Sequence, residues 1–324
     1  MINNSLFNIK KILNDLKKLN HLRIIIKHEE EIVSFYVCNH HLGDLVIFCS
    51  IAKSLAINEN RKFIIMVEEQ YQSVPKLFGL KTMVADIPKY RLPLIETLNQ
   101  LYLQVSNLFS KYKIFLCFPG FFLYIKCPPR LLYSNMYIRF MISLAGHVGI
   151  PLSCIDETFM TPPEYVKEDF ILLGLRIKRT VIISPDSLSM KKIDESFFIK
   201  LYRALEETEY IPIINSNSKF WNEIGFKTFF PDTLRLVYYA ELAGYSISAR
   251  SGISDVLSFT PRVKNIVIYG NNVPADFIIG KDKAILYSEI EEFFYTTKNE
   301  VDLIKNIISS LKETANNAHF QKPY

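Results

Sequence analysis

The sequence predicts an α/β protein of two Rossmann-like, doubly wound domains, each a parallel sheet with helices on both faces, and a cleft between them. Three observations predict this. Short apolar runs alternate with segments of helical period along most of the 324 residues. The runs do not alternate polar and apolar positions, as suits strands of a parallel sheet buried on both sides. The length itself suggests two domains of about 150 residues each.

The elements follow in order. From Leu6 to Leu19, apolar residues recur at 6, 9, 13 and 16 with Lys10, Lys11, Lys17 and Lys18 elsewhere on the wheel, an amphipathic helix with a basic face suited to anionic headgroups or to solvent. "EIVSFYV" then reads as a strand, "GDLVIFCSIAKSLA" as a buried helix, "KFIIMV" (62–67) and "KIFLCF" (113–118) as strands, and "MYIRFMISLAGHVGI" (136–150) as a helix. This is the first domain, residues 1–155. The stretch 151–169, with its prolines, acids and lack of period, reads as a linker. In the second domain, 170–324, "TVIISPDS" is a strand entering a loop, 194–207 a helix and "YIPIINS" a strand. Residues 232–243 form a helix opened by an aspartate cap. "GYSISA" is a strand, "SGISDVLSF" a short helix and "VKNIVIYG" a strand. A last helix, about 298–313, is free to pack back on the first domain.

Composition narrows the partners. An excess of 38 basic over 33 acidic residues, net +5, suits an anionic small ligand or an acidic lipid surface but gives no dense basic stripe for nucleic acid. Five cysteines, Cys38, Cys49, Cys117, Cys127 and Cys154, lie mostly among apolar residues with no CxxC pair, which reads as buried free thiols in a reducing compartment. No apolar run reaches the roughly 18 residues of a membrane span, and no secretory leader pattern opens the chain. The expectation is a cytoplasmic protein whose contact with the inner membrane is peripheral.

Ligands of doubly wound sheets bind at strand carboxyl ends, so three strand-to-helix loops carry the chemistry. In "VCNHHLGDLVIFCSIAKSLA", Gly43 permits a sharp turn and Asp44 stands at the start of a buried helix. An N-cap accounts for Asp44 alone, but the adjoining His40 and His41 make a plausible proton-accepting cluster. In "ISPDSLSMKK", Ser184, Ser187 and Ser189 with Lys191 and Lys192 offer hydroxyls and ammonium groups to a diphosphate, or simply form a polar surface loop. In "SISARSGISDVLSF", Arg250, Ser251 and Gly252 meet at a strand-to-helix switch where free amides and a fixed cation suit an anion. Asp255, in the first turn, would repel a phosphate and is placed to hold a sugar hydroxyl. For an acceptor, "PGFFLYIKCPPRLLYSNMYIRF" (119–140) interleaves rings with Lys126, Arg130 and Arg139.

Absent motifs matter too. The chain has no GxGxxG, no GxxxxGK[ST] and no GxSxG, which disfavours dinucleotide, P-loop and α/β-hydrolase chemistry. It has no DxD pair, so a metal-bridged nucleotide-sugar site is not expected and phosphate charge falls to Lys, Arg and helix ends.

The Gly-Asp step of "GDLVIFCSIAKSLA", with the order of the Ser- and Lys-bearing loop, "YSISARSGISDVLSF" and "NIVIYG", resembles the bacterial heptosyltransferase-like glycosyltransferases of family 9. The resemblance implies a GT-B fold with the donor nucleotide in the second domain and the acceptor in the first. It implies Asp44 near the acceptor hydroxyl with Gly43 beside it, Lys191 or Lys192 near the donor phosphates, and Ser251 and Gly252 under the diphosphate. The family's Asp-Ser-Gly-Pro followed by histidine is replaced here by "ARSGISDVL", which departs from a heptose-specific loop.

The expected reaction is transfer of a sugar from a nucleotide-diphosphate sugar to a hydroxyl of a glycan or glycolipid in surface polysaccharide or lipopolysaccharide synthesis. No cofactor or metal is expected. Asp44, or His40 or His41, removes the proton, and the resemblance implies inversion at the anomeric carbon. Two other uses of the same frame are a nucleotide-sugar epimerase or hydrolase, and a non-catalytic nucleotide- or glycan-binding protein.

Overall fold

A computed structural model describes residues 63–84, 161–187, 193–258, 260, 262–270 and 289–316, strands 34–38 and 114–117, and the single positions 14, 17, 42, 43, 45, 46, 49 and 53. The chain divides into two compact units, Met1–Cys154 and Ile155–Tyr324.

In the first unit, β1 (Ser34–Cys38), β2 (Phe63–Val67), β3 (Lys81–Val84) and β4 (Ile114–Cys117) form a parallel sheet in the order β3-β2-β1-β4. Ile64 to Val67 are all buried, the mark of a strand covered on both faces. Between β1 and β2 the chain is helical at Leu42, Gly43, Leu45, Val46, Cys49 and Lys53, and Leu45, Val46 and Cys49 are buried on the spacing of one helical face. Gly43 is therefore not the turn that the sequence suggests: it is buried, and it is already helical, as is the half-buried Leu42 before it. After α1 (Ser73–Leu77), Gly79 turns the chain at φ 64° into Leu80 and β3.

In the second unit, six parallel strands, β5 (Thr180–Ser184), β6 (Ile211–Asn215), β7 (Thr228–Phe229), β8 (Gly244–Ala249), β9 (Lys264–Tyr269) and β10 (Glu289–Phe294), take the order β10-β9-β8-β5-β6-β7. Counted within the unit this is 3-2-1-4-5-6 read from the other edge, the dinucleotide-fold order. The first unit's four strands repeat its first four positions.

Two apolar layers cover this sheet. On one face Val181, Ile183, Ile247, Ile266 and Ile268 pack against α3 (Glu195–Glu206), α4 (Lys219–Glu223) and α7 (Glu300–Asn316). In α3 the buried Phe197, Phe198, Leu201, Tyr202 and Leu205 recur at helical spacing. Each fully buried phenylalanine is worth about 2–3 kcal/mol of transfer free energy. On the other face Ile182 and Ile213 meet α2 (Glu164–Leu172) and α5 (Thr233–Ala243) through Val166, Phe170, Leu236 and Ala240. Successive strand residues point to opposite faces, which is why neighbours in sequence divide between the layers.

Helix α2 occupies the later part of the expected linker 151–169 and belongs to the second unit. The signals that suggest a linker, Pro162, Pro163 and Glu164, are those of a helix start: Pro163 caps the helix and Glu164 lies in its first turn. Helix α5 starts as its sequence predicts, with Asp232 Oδ1 accepting the Arg235 N–H at 3.0 Å. It stops at Gly244, φ 82°, where any Cβ would lie 2.9 Å from Lys178 Cδ. The last helix, α7, packs on α3 and β9 of its own unit: Tyr210 donates its hydroxyl to Leu311 O at 3.0 Å, and buried Lys264 donates to Ser310 O at 3.2 Å. The Lys264 ammonium also pairs with Glu289 and Glu291 of β10, at 3.3 and 3.0 Å. No helix among the described residues is long and apolar enough to cross a membrane.

Candidate functional site

The strand order of the second unit fixes where a ligand site forms. The chain leaves β5 for α3 on one face and leaves its neighbour β8 for α6 (Gly252–Ser258) on the other, where Leu257 joins the α2–α5 layer. The carboxyl ends of β5 and β8 thus flank the topological switch point, the usual crevice of an open α/β sheet. Two of the three loops singled out in the sequence, those after β5 and β8, meet here.

A hydrogen bond joins them: Ser187 Oγ donates to Arg250 O at 2.8 Å. Arg250 N–H in turn donates to Ile268 O of β9 at 2.9 Å, which fixes the backbone of the second loop.

The Arg250 side chain turns back onto its own helix. Its Nη1 reaches Ser251 O at 2.8 Å, Ser254 Oγ at 3.1 Å and Asp255 Oδ2 at 2.9 Å. The Arg250 and Asp255 side chains are only 13% and 12% exposed. Burial pushes the Asp255 carboxyl above the usual range, and the Arg250 charge opposes that rise. The sequence expectation assigned these two residues separately, to a phosphate and to a sugar hydroxyl. Here they face each other, because a buried carboxylate in a helix's first turn takes the nearest fixed cation.

The Ser251 amide also differs from the expectation of a free phosphate donor. It donates to Ser254 Oγ at 3.0 Å, and Ser254 Oγ donates to Ser251 O at 2.6 Å, a serine box that closes the start of α6. Gly252, the first residue of α6, has an amide with no intrahelical acceptor.

Below the crevice lies a polar row of which the sequence reading singled out only Ser184. Ser184 pairs in register with Ser248 on β8 and accepts a hydrogen bond at 3.0 Å from Asn215 Nδ2 at the end of β6. All three are buried. On the same face, Ser246 Oγ donates to Asn265 Oδ1 at 2.9 Å, and Asn265 Nδ2 reaches Ser254 O and Ser258 Oγ of α6, each at 3.3 Å. Ser248 Oγ, Ser251 Oγ and Asn215 Oδ1 are buried polar atoms with no hydrogen-bond partner among the described residues. A buried polar atom left unpaired costs about 1–3 kcal/mol, so three of them around one switch point single out this crevice as a candidate site. The available signal was a polar residue ending two otherwise apolar strands, "TVIIS" and "IPIIN", and serines at alternate positions of β8, "GYSISA".

Of the residues proposed from sequence, the structure brings Ser187, Arg250, Ser251, Gly252 and Asp255 together at this crevice. Gly43 lies in the first unit, in the helical segment between β1 and β2. Asp44, His40, His41, Ser189, Lys191, Lys192, Lys126 and Arg130 lie outside the described residues.

No family model matches the chain, and no curated protein matches it in sequence. Solved structures do. Escherichia coli ADP-heptose lipopolysaccharide heptosyltransferase II is similar over 88% of this chain and 100% of its own, with a TM-score of 0.62 and 12% identity. A glycosyl transferase family 9 protein from Veillonella parvula is similar over 88% and 99%, with a TM-score of 0.57 and 14% identity. Escherichia coli heptosyltransferase WaaC, solved with ADP-2-deoxy-2-fluoro heptose, is similar over 86% and 99%, with a TM-score of 0.55 and 12% identity. The chain is α/β with parallel sheets, and these structural neighbours are GT-B glycosyltransferases.

Proposed function

We propose that this protein is a glycosyltransferase that moves a sugar from a nucleotide-diphosphate sugar to a hydroxyl of a glycan or glycolipid. The observation that carries the reading is the crevice at the β5–β8 switch point, where two loops are fastened by the Ser187–Arg250 bond beside the unpaired Ser251 hydroxyl. A donor diphosphate there receives hydrogen bonds from the Ser251 hydroxyl and the Gly252 amide, and charge from Lys191 or Lys192. The Arg250–Asp255 pair holds the loop in shape. Preorganised donors of this kind stabilise the charge that grows on a leaving diphosphate. Asp44, with His40 and His41 as the other candidates, removes the acceptor proton as the hydroxyl attacks. Attack from the face opposite the diphosphate inverts the anomeric carbon. Phosphate neutralisation rests on Lys191 or Lys192, and no DxD motif is present to hold a bridging metal. The fold shared with heptosyltransferases, one of them solved with an ADP-linked heptose analogue, supports an ADP-type donor as the first candidate. The product class is surface polysaccharide or lipopolysaccharide, made on the cytoplasmic face of the inner membrane.

The test is thermal unfolding with each nucleoside mono- and diphosphate. A ligand at a hundred times its dissociation constant stabilises by about 2.7 kcal/mol, and ADP should give the largest shift. A flat response to every nucleotide overturns the reading. The nucleotide that does stabilise then identifies the donor series for transfer assays.

A further inference from the structure

At the pole of the second unit opposite the crevice, where β5 begins, residues 171–179, "ILLGLRIKR", make a knob. It is closed by main-chain bonds: Leu173 N to Asp169 O at 3.0 Å, Gly174 N to Ile171 O at 2.7 Å, Leu175 N to Phe170 O at 3.3 Å and Lys178 N to Leu242 O at 2.9 Å. Thr180 Oγ1 further bonds Arg176 N and O, at 3.0 and 2.9 Å. Phe170 and Leu175 are buried and anchor it. Held this firmly, the knob still keeps Leu172 84%, Ile171 57%, Leu173 40% and Ile177 39% exposed. Tyr165, two turns back on the Leu172 side of α2, is 59% exposed. A continuous apolar patch on a fixed turn marks a contact surface.

The charges around it indicate what it contacts. Arg176 and Arg179 are exposed on the knob, Lys178 between them turns inward to Glu241 O and Arg262 O and adds no charge to the tip, and Lys227 Nζ comes within 3.2 Å of where a Cβ on Gly174 would stand. Arg179 pairs with Glu209. Glu168 and Glu164 stand one and two turns back along α2, away from the tip, and Glu164 pairs with Lys167. A second copy docked by a two-fold axis would press these bases against their own counterparts, which is unfavourable. A few side chains at one tip also fall short of the roughly 800 Å² per partner of a stable protein interface.

We propose that the 171–179 knob docks on an anionic lipid bilayer, with Leu172, Leu173, Ile171 and Ile177 in the interface and Arg176 and Lys227 over the headgroups. The surface is separate from the crevice and does not depend on the activity proposed there. Docked this way, the protein directs the carboxyl ends of β5 and β8 away from the lipid.

The experiment is co-sedimentation of the full chain with phosphatidylglycerol–phosphatidylethanolamine vesicles and with phosphatidylcholine vesicles, using wild type, L172S/L173S and R176Q. Wild type should bind the anionic vesicles, less at higher salt, and should not bind the neutral ones. L172S/L173S should bind at least tenfold more weakly and R176Q about fivefold more weakly, with unchanged melting of all three proteins. R176Q stands alone as the test if the double variant misfolds. Undiminished binding by either variant, equal binding to neutral vesicles, or no binding at all overturns the proposal. Self-association of the wild type that L172S/L173S abolishes overturns it in favour of a second copy.

Discussion

The Ser187 hydroxyl donates to the Arg250 carbonyl oxygen at 2.8 Å, across 63 residues of chain. It couples the loop that leaves β5 to the loop that leaves β8. Ser187→Ala removes that clasp without disturbing the apolar layers. It should cost about 1 kcal/mol of stability, read by urea denaturation, and weaken nucleotide binding severalfold by calorimetric titration. Unaltered affinity would place the nucleotide away from this junction.

Ser251→Ala separates a binding hydroxyl from a structural one. The Ser251 hydroxyl has no partner among the described residues, so deleting it should leave stability unchanged or slightly raised. Nucleotide diphosphate affinity should fall about tenfold, a loss of one hydrogen bond to a charged group. A loss of stability at constant affinity would contradict the role assigned to it.

Asp255→Ala removes the carboxylate 2.9 Å from Arg250 Nη1 in a mostly buried place. Breaking such a pair costs about 3 kcal/mol. Asp255→Asn also loses the negative charge but keeps an acceptor for the guanidinium, so it should cost less. Chemical denaturation of the two variants side by side checks the order.

Asp44→Asn tests the proposed base. Turnover should fall by about a hundredfold or more while nucleotide affinity holds, measured by steady-state transfer and donor titration. His40→Ala and His41→Ala serve as the parallel variants, and the largest drop identifies the proton acceptor.

Alkaline pH should unfold the protein through its buried tyrosines. Burial, with the hydrogen bond to Asp194, pushes the Tyr295 phenol up to about 12, and burial also raises Tyr210. The folded state keeps these protons where the unfolded chain, at about 10, has lost them. Stability therefore falls as pH rises from about 10 to 12. Tyr295→Phe should flatten that decline in denaturant titrations taken across the range.

Strong local signals made most of the second unit legible in the sequence. A helix expected over 194–207 spans Glu195–Glu206, and one expected over 232–243 spans Thr233–Ala243. Both have decisive apolar periods or caps. Strand β10, "EIEEFF", escaped notice because its glutamates hide the apolar pattern, and β7 is only two residues long. Helix α2 was obscured because Pro162 and Pro163 signal a break as readily as a beginning. At the candidate site, sequence pointed to the two loops that the Ser187–Arg250 bond joins, since Arg, Ser and Gly coincide after a strand. It could not reveal that Arg250 and Asp255 neutralise each other, which depends on how the chain turns between them. Nor could it align Ser184, Ser248 and Asn215, because that row exists only once the strand order is known.

The margins of the six-stranded sheet have a consequence for solubility. One border is β7, too short to template another chain's backbone. The other is β10, whose Glu289 and Glu291 are tied to Lys264 and whose Glu292 accepts from the Tyr269 hydroxyl. Acids along an outermost strand discourage a foreign strand from adding there. A sheet of parallel strands this apolar would otherwise be an invitation to fibre growth, and the outermost of its described strands oppose that growth.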